Sequence, residues 1–105
     1  MELTPEEAAE RLAAGDVDLV DVREPYEWEA GHIDGARHVA LPDLAEFAQS
    51  LDPERSVVFV CRVGGRSAMA TDAFRRAGFD AWNLAGGMVA WERSGLPFTG
   101  SVADH

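Results

Sequence analysis

Amphipathic stretches and short apolar runs alternate along the chain. Thr4-Pro5-Glu6-Glu7 combines an N-cap, a proline at the first helical position and a glutamate at the third. Ala8, Ala9, Leu12 and Ala13 then fall on one face, and Gly15 ends a first helix. Val17 to Val22 is mostly apolar and β-branched, the pattern of a strand covered on both faces, and Arg23-Glu24-Pro25 breaks it. A short helix over Tyr26 to Ala30 and a short strand over Ala36 to Leu41 are expected next. Asp43 is positioned to cap a helix with Leu44, Phe47, Ala48 and Leu51 along its inner stripe, bracketed by Pro42 and Pro53. Ser56 to Val60 is the most buried strand by composition and the one expected to be central, and Ser67 to Ala77 is a helix stopped by Gly78. Ala81 to Leu84 forms the last expected strand. Gly86-Gly87 turns into a helix carrying Met88, Val89 and Trp91, which Ser94-Gly95-Leu96-Pro97 ends. Residues 1–98 read as one domain and residues 99–105 as a loose tail.

Helical patterns set between strands of four to six residues imply βα units, a mostly parallel sheet and helices on both faces. The expected architecture is an α/β three-layer sandwich. A chain of 105 residues, 47% of them apolar, suffices for one core. The first residues carry neither a basic region nor an apolar signal core, and no stretch reaches membrane-spanning length, so a cytoplasmic location is expected. The net charge of −10 argues against nucleic acid and against anionic membrane surfaces as partners.

Within this acidic chain all nine basic side chains are arginine, and two of them flank Val63-Gly64-Gly65. The single cysteine, Cys61, stands just before them, where Val57-Val58-Phe59-Val60 breaks into Cys61-Arg62-Val63-Gly64-Gly65-Arg66-Ser67. A thiolate at neutral pH requires positive potential, and a loop with two glycines and two arginines entering a helix N-terminus supplies it. Ligands of such sheets bind beyond the carboxyl ends of the strands, and Cys61 falls at that end of the expected central strand. Asp21 and Arg23 read as a supporting structural pair at the sheet's edge. His32 reads as a local hydrogen-bonding residue, and the histidines and lone cysteine lack metal-ligand spacing, so no metal is expected. Gly86-Gly87 lacks the spaced glycines and lysine of a phosphate loop and reads as a tight turn. Trp28, Trp82 and Trp91 read as core or rim packing. The acidic groups Glu6-Glu7, Glu24-Glu27-Glu29 and Asp52-Glu54 read as solvated faces.

Three segments together resemble the single-domain rhodaneses, a sulfurtransferase family. They are Leu19-Val20-Asp21-Val22-Arg23-Glu24-Pro25-Tyr26-Glu27 continuing to Gly31-His32-Ile33-Asp34-Gly35-Ala36, the Cys61 to Ser67 loop, and Leu84-Ala85-Gly86-Gly87-Met88-Val89-Ala90-Trp91. The likeness runs from about Leu3 to Phe98 without large gaps. It implies the rhodanese-like fold and a Cys61 persulfide that carries sulfur from thiosulfate or another persulfide donor to cyanide or a thiol, with no cofactor. It further implies that the loop amides face the outer sulfur while Arg62 and Arg66 hold a donor's oxyanion, with Val63, Gly64, Gly65 and Ser67 completing the cradle. A protein can serve as donor or acceptor in such a scheme. Rhodanese-fold phosphatases and arsenate reductases place one more residue between Cys and Arg, and the shorter ring here suits a single sulfur atom better than a phosphate. Non-catalytic rhodanese folds act as partner-docking modules, usually after losing the cysteine or distorting the loop, and here both are intact. Glu27 stands where two-domain thiosulfate enzymes often carry a further basic residue, which makes thiosulfate an assay donor more than the expected natural one. Val63 stands where small polar residues are frequent in the family, which points to a different acceptor preference.

Overall fold

The computed structural model describes residues 1–103 of the chain. The expected N-terminal signal forms as a reciprocal cap: the Glu7 amide donates to Thr4 Oγ1 at 3.1 Å and the Thr4 amide donates to the Glu7 carboxylate at 2.9 Å. This starts helix α1, Pro5–Ala14, which Gly15 ends in the left-handed conformation. Strands β1 (Glu2–Leu3), β2 (Val17–Asp21), β4 (Arg37–His38), β5 (Ser56–Val60) and β6 (Ala81–Leu84) form one parallel sheet in the order β1-β6-β5-β2-β4. Strand β5 is therefore central, as its composition implies. Helices α2 (Pro25–Ala30), α3 (Leu44–Phe47), α4 (Gly65–Arg76) and α5 (Gly87–Arg93) complete the main elements.

The period-two alternation of the strands divides the core between two faces. Leu19, Val58 and Val60 join Ala8, Met88 and Trp91 from α1 and α5 on one side. Val20, Val57 and Phe59 join Leu44, Ala70 and Phe74 from α3 and α4 on the other. The sheet is thus covered on both faces, which gives the three-layer sandwich. No described helix is long and apolar enough to cross a membrane.

Four features differ from the sequence expectation. The strand expected over Ala36 to Leu41 contains only Arg37–His38, because Pro42 starts a 3₁₀ turn at Leu41–Asp43. The helix expected after Asp43 is a single α turn between two 3₁₀ turns, and Asp43 lies in helical geometry with no side-chain cap. Leu44 and Leu51 still bury against the sheet. Residues 99–103, expected to be loose, are ordered onto the domain: strand β7 (Thr99–Gly100) pairs antiparallel with β3 (Gly31–His32), and the Ser101 amide donates to the Ala30 carbonyl at 2.9 Å. The rest of that tail, residues 104 and 105, lies outside the described residues.

Candidate active site

The carboxyl end of β5 hands the chain directly to Cys61, whose side chain is 1% exposed. Helix α4 begins at Gly65, two residues before the expected start, because Gly64 turns at φ 108°, a left-handed conformation that favours glycine. That turn aims the helix's first free amides back at the sulfur. Gly64 N–H lies 3.1 Å from Cys61 Sγ, Ser67 N–H lies 3.4 Å away and the Ser67 hydroxyl 3.2 Å away. Three donors and the positive end of a 12-residue helix therefore converge on one sulfur atom. The backbone behind the sulfur is held from the opposite side. Met88 N–H donates to the Cys61 carbonyl at 2.8 Å and Val89 N–H to the Arg62 carbonyl at 3.0 Å, so the loop caps the start of α5.

Both loop arginines, expected to hold a donor's oxyanion, engage protein partners. Arg66 makes a two-pronged ion pair with Glu27, Nη1 to Oε1 at 2.7 Å and Nη2 to Oε2 at 2.9 Å. Glu27 is 2% exposed, which corrects its reading as part of a solvated acidic face. Hydrogen bonding from Arg66 holds the Glu27 carboxyl below its ordinary range, and the same partner raises Arg66 further above its own. Arg62 Nε donates to the Ala103 carbonyl at 2.9 Å, tying the loop to the C-terminal segment. Val63 projects into solvent at 58% exposure.

Asp21 and Arg23 form a buried pair: Arg23 Nε donates to Asp21 Oδ1 at 2.8 Å, and Nη2 donates to Oδ2 at 2.7 Å and to the Gly31 carbonyl at 2.8 Å. Asp21 ends β2, which runs between β5 and β4, and Arg23 follows two residues later, so the pair sits at the carboxyl end of an interior strand and not at the sheet's edge. It fixes the end of β2 beside the loop, where Val22 N–H donates to the Val60 carbonyl at 3.0 Å. His32 donates from Nδ1 to the Trp28 carbonyl at 2.8 Å and stacks on the Trp28 ring at 3.7 Å, a local role as expected. Among the described residues, no group of three or more His, Cys, Asp or Glu is placed to hold a metal ion.

Sequence reasoning missed two contributors. Glu27 is one; Pro25 at the start of α2 puts it at the third helical position, where it also accepts from the Glu24 amide at 3.0 Å. Asn83 is the other. It lies on β6, 4% exposed, and its Oδ1 hydrogen-bonds with the Ser67 hydroxyl that also faces Cys61 Sγ. Its Nδ2 donates to the Gly64 carbonyl at 3.2 Å and to Glu2 Oε2 at 3.1 Å. A polar residue in the otherwise apolar Ala81-Trp82-Asn83-Leu84 was the available signal.

A family model described as Rhodanese-like domain matches residues 4–94. The chain is 41% identical over 99 residues to the probable adenylyltransferase/sulfurtransferase MoeZ of Mycobacterium tuberculosis, covering 90% of this chain but 25% of that protein. It is 39% identical over 79 residues to the putative sulfurtransferase YtwF of Bacillus subtilis, covering 75% of this chain and 77% of that protein. Among solved structures, a rhodanese-related protein from Thermoplasma volcanium superposes with a TM-score of 0.85 at 24% identity, covering 93% of this chain and 96% of that one. The chain thus spans about a quarter of the first relative and most of the second.

Proposed function

The chain belongs to the rhodanese-like domain family, and on that premise we propose that it is a sulfurtransferase that carries sulfane sulfur as a Cys61 persulfide. The observation that supports this reading best is the convergence of Gly64 N–H, Ser67 N–H and the Ser67 hydroxyl on Cys61 Sγ. Such donors stabilise charge on a sulfur that serves first as nucleophile and later as leaving group.

In the first half-reaction the Cys61 thiolate attacks the outer sulfur of the donor. A new S–S bond forms and the donor's S–S bond breaks, its electron pair leaving with sulfite when thiosulfate is the donor or with a thiolate when an organic persulfide is. In the second half-reaction an acceptor thiolate or cyanide attacks that outer sulfur. The persulfide bond breaks and the electron pair returns to Cys61 Sγ, releasing a new persulfide or thiocyanate. Sulfur moves without net oxidation of the protein, so the cycle balances with donor and acceptor alone. Each time negative charge returns to Sγ, the same three donors receive it.

Intact-mass measurement tests this directly. Wild type incubated with thiosulfate or with cysteine persulfide is expected to gain one sulfur atom, lost again on addition of cyanide, and Cys61→Ser is expected to gain none. A wild type that gains sulfur from neither donor would end the sulfurtransferase reading.

A further inference from the structure

The Ser67 hydroxyl faces two acceptors with one proton. Its oxygen lies 3.2 Å from Cys61 Sγ and within hydrogen-bonding distance of Asn83 Oδ1. A hydroxyl donates once, so it serves the sulfur or the amide at any moment. The amide is not free to turn over and resolve the conflict. Asn83 Nδ2 faces two pure acceptors, the Gly64 carbonyl at 3.2 Å and the Glu2 carboxylate at 3.1 Å, which leaves only Oδ1 toward Ser67. All three side chains, Cys61, Ser67 and Asn83, are buried, so solvent does not replace the missing donor.

We propose that Asn83 is a positioning residue that controls Cys61 through the Ser67 proton. With a neutral thiol or a persulfide at Cys61, Sγ is a weak acceptor and the hydroxyl donates to Asn83 Oδ1. When Sγ carries negative charge, the hydroxyl rotates to it and the amide oxygen loses its donor. Asn83 therefore opposes formation of the free thiolate and favours the loaded state, in which its own hydrogen bond is restored. The other charged groups around this point are Arg66 with its partner Glu27, Arg62 on the loop and Glu2 beyond the amide; among the described residues none of them touches the Ser67 oxygen. The persulfide part of this argument rests on the sulfurtransferase reading, whereas the thiolate part does not.

Iodoacetamide alkylation of Cys61, followed against pH on the unloaded protein, separates the two. Removing the competing acceptor with Asn83→Ala, or with Asn83→Leu to keep side-chain volume, is expected to raise the alkylation rate at neutral pH by about three- to tenfold, the net scale of one ordinary hydrogen bond. Ser67→Ala is expected to lower it by a similar factor. In the Ser67→Ala background the Asn83 substitutions are expected to change nothing. A lowered or unchanged rate on removing the amide, or an equal rise in both backgrounds, would overturn the proposal. In the unsubstituted protein the Asn83 side-chain amide resonances are expected to move along the same pH profile as alkylation, and resonances that ignore that profile would overturn it too. A protein that passes these tests yet takes up no sulfur would leave the Ser67 switch standing and remove only its use in sulfur transfer.

Discussion

Gly87 couples helix α5 to the cysteine loop, and its replacement by alanine isolates how strongly. Gly87 sits at φ 61°, and a Cβ built there would lie 2.6 Å from the Arg62 carbonyl oxygen and closer still to that of Cys61. Those two carbonyls accept the Met88 and Val89 amides at 2.8 and 3.0 Å, so relieving the overlap means pulling the loop off the helix. The left-handed conformation costs alanine about 1–2 kcal/mol. Losing two backbone hydrogen bonds adds about 1 kcal/mol each. The sum is about 3–4 kcal/mol, a large part of the stability of a small domain. Gly95, at the other end of the same helix, has φ 72° but open space around its would-be Cβ, so Gly95→Ala carries the conformational cost alone. At about 4–8 °C per kcal/mol for a domain near this size, Gly95→Ala is expected to melt roughly 5–15 °C below wild type. Gly87→Ala is expected to melt roughly 10 °C or more below that. Thermal melts followed by circular dichroism, with Cys61 alkylation at a temperature where both variants are folded, read the two effects. Equal melting temperatures for the two variants would refute the claim that the α5 start buttresses the loop.

Three further outcomes follow from the charged pairs. Arg23→Leu leaves the Asp21 carboxylate buried without its partner and is expected to cost about 3–5 kcal/mol in urea unfolding, whereas Asp21→Leu combined with Arg23→Leu is expected to recover a substantial part of that loss. Because Arg66 holds Glu27 below the ordinary glutamate value of 4.5, the pair's contribution is fully present above that pH and is lost as pH falls through the lowered value in the folded protein. Unfolding curves of wild type and Glu27→Gln should therefore differ at neutral pH and converge under acid conditions; a constant difference at all pH values would contradict this. Glu27→Gln also leaves the Arg66 charge uncompensated, which is expected to raise Cys61 loading from dianionic thiosulfate about tenfold at low salt relative to cysteine persulfide. An unchanged ratio of the two loading rates would show that the ion pair has no part in donor choice.

The elements that the sequence made legible are those whose signals are local. Thr4-Pro5-Glu6-Glu7 is a complete cap within four residues, and the apolar run of β5 leading into Cys61 and two glycines contains its own strand, turn and helix start. Strands β1 and β7 are two residues each, too short for any alternation to show. They form because β6 and β3 present open edges, a property of the assembled fold and not of their own composition. Asp43 shows the opposite failure: a residue well suited to capping lost that role because Pro42 had already started a turn.

The same division runs through the site. Cys61 and the amides that face it come from one continuous loop, so the proposed nucleophile and its cradle are visible in a seven-residue string. The groups that set its charge balance come from elsewhere: Glu27 lies 39 residues before Arg66 and Asn83 lies 16 residues after Ser67. An arginine beside a cysteine looks like a free cation until the fold supplies the buried carboxylate that neutralises it. A net charge of −10 made acidic residues seem interchangeable, yet among the described residues only the one that Pro25 places at the third position of α2 pairs with Arg66. On the proposed reading, the loop's sequence specifies which atom reacts, and residues far from it in sequence specify how much positive potential an incoming sulfur donor meets there.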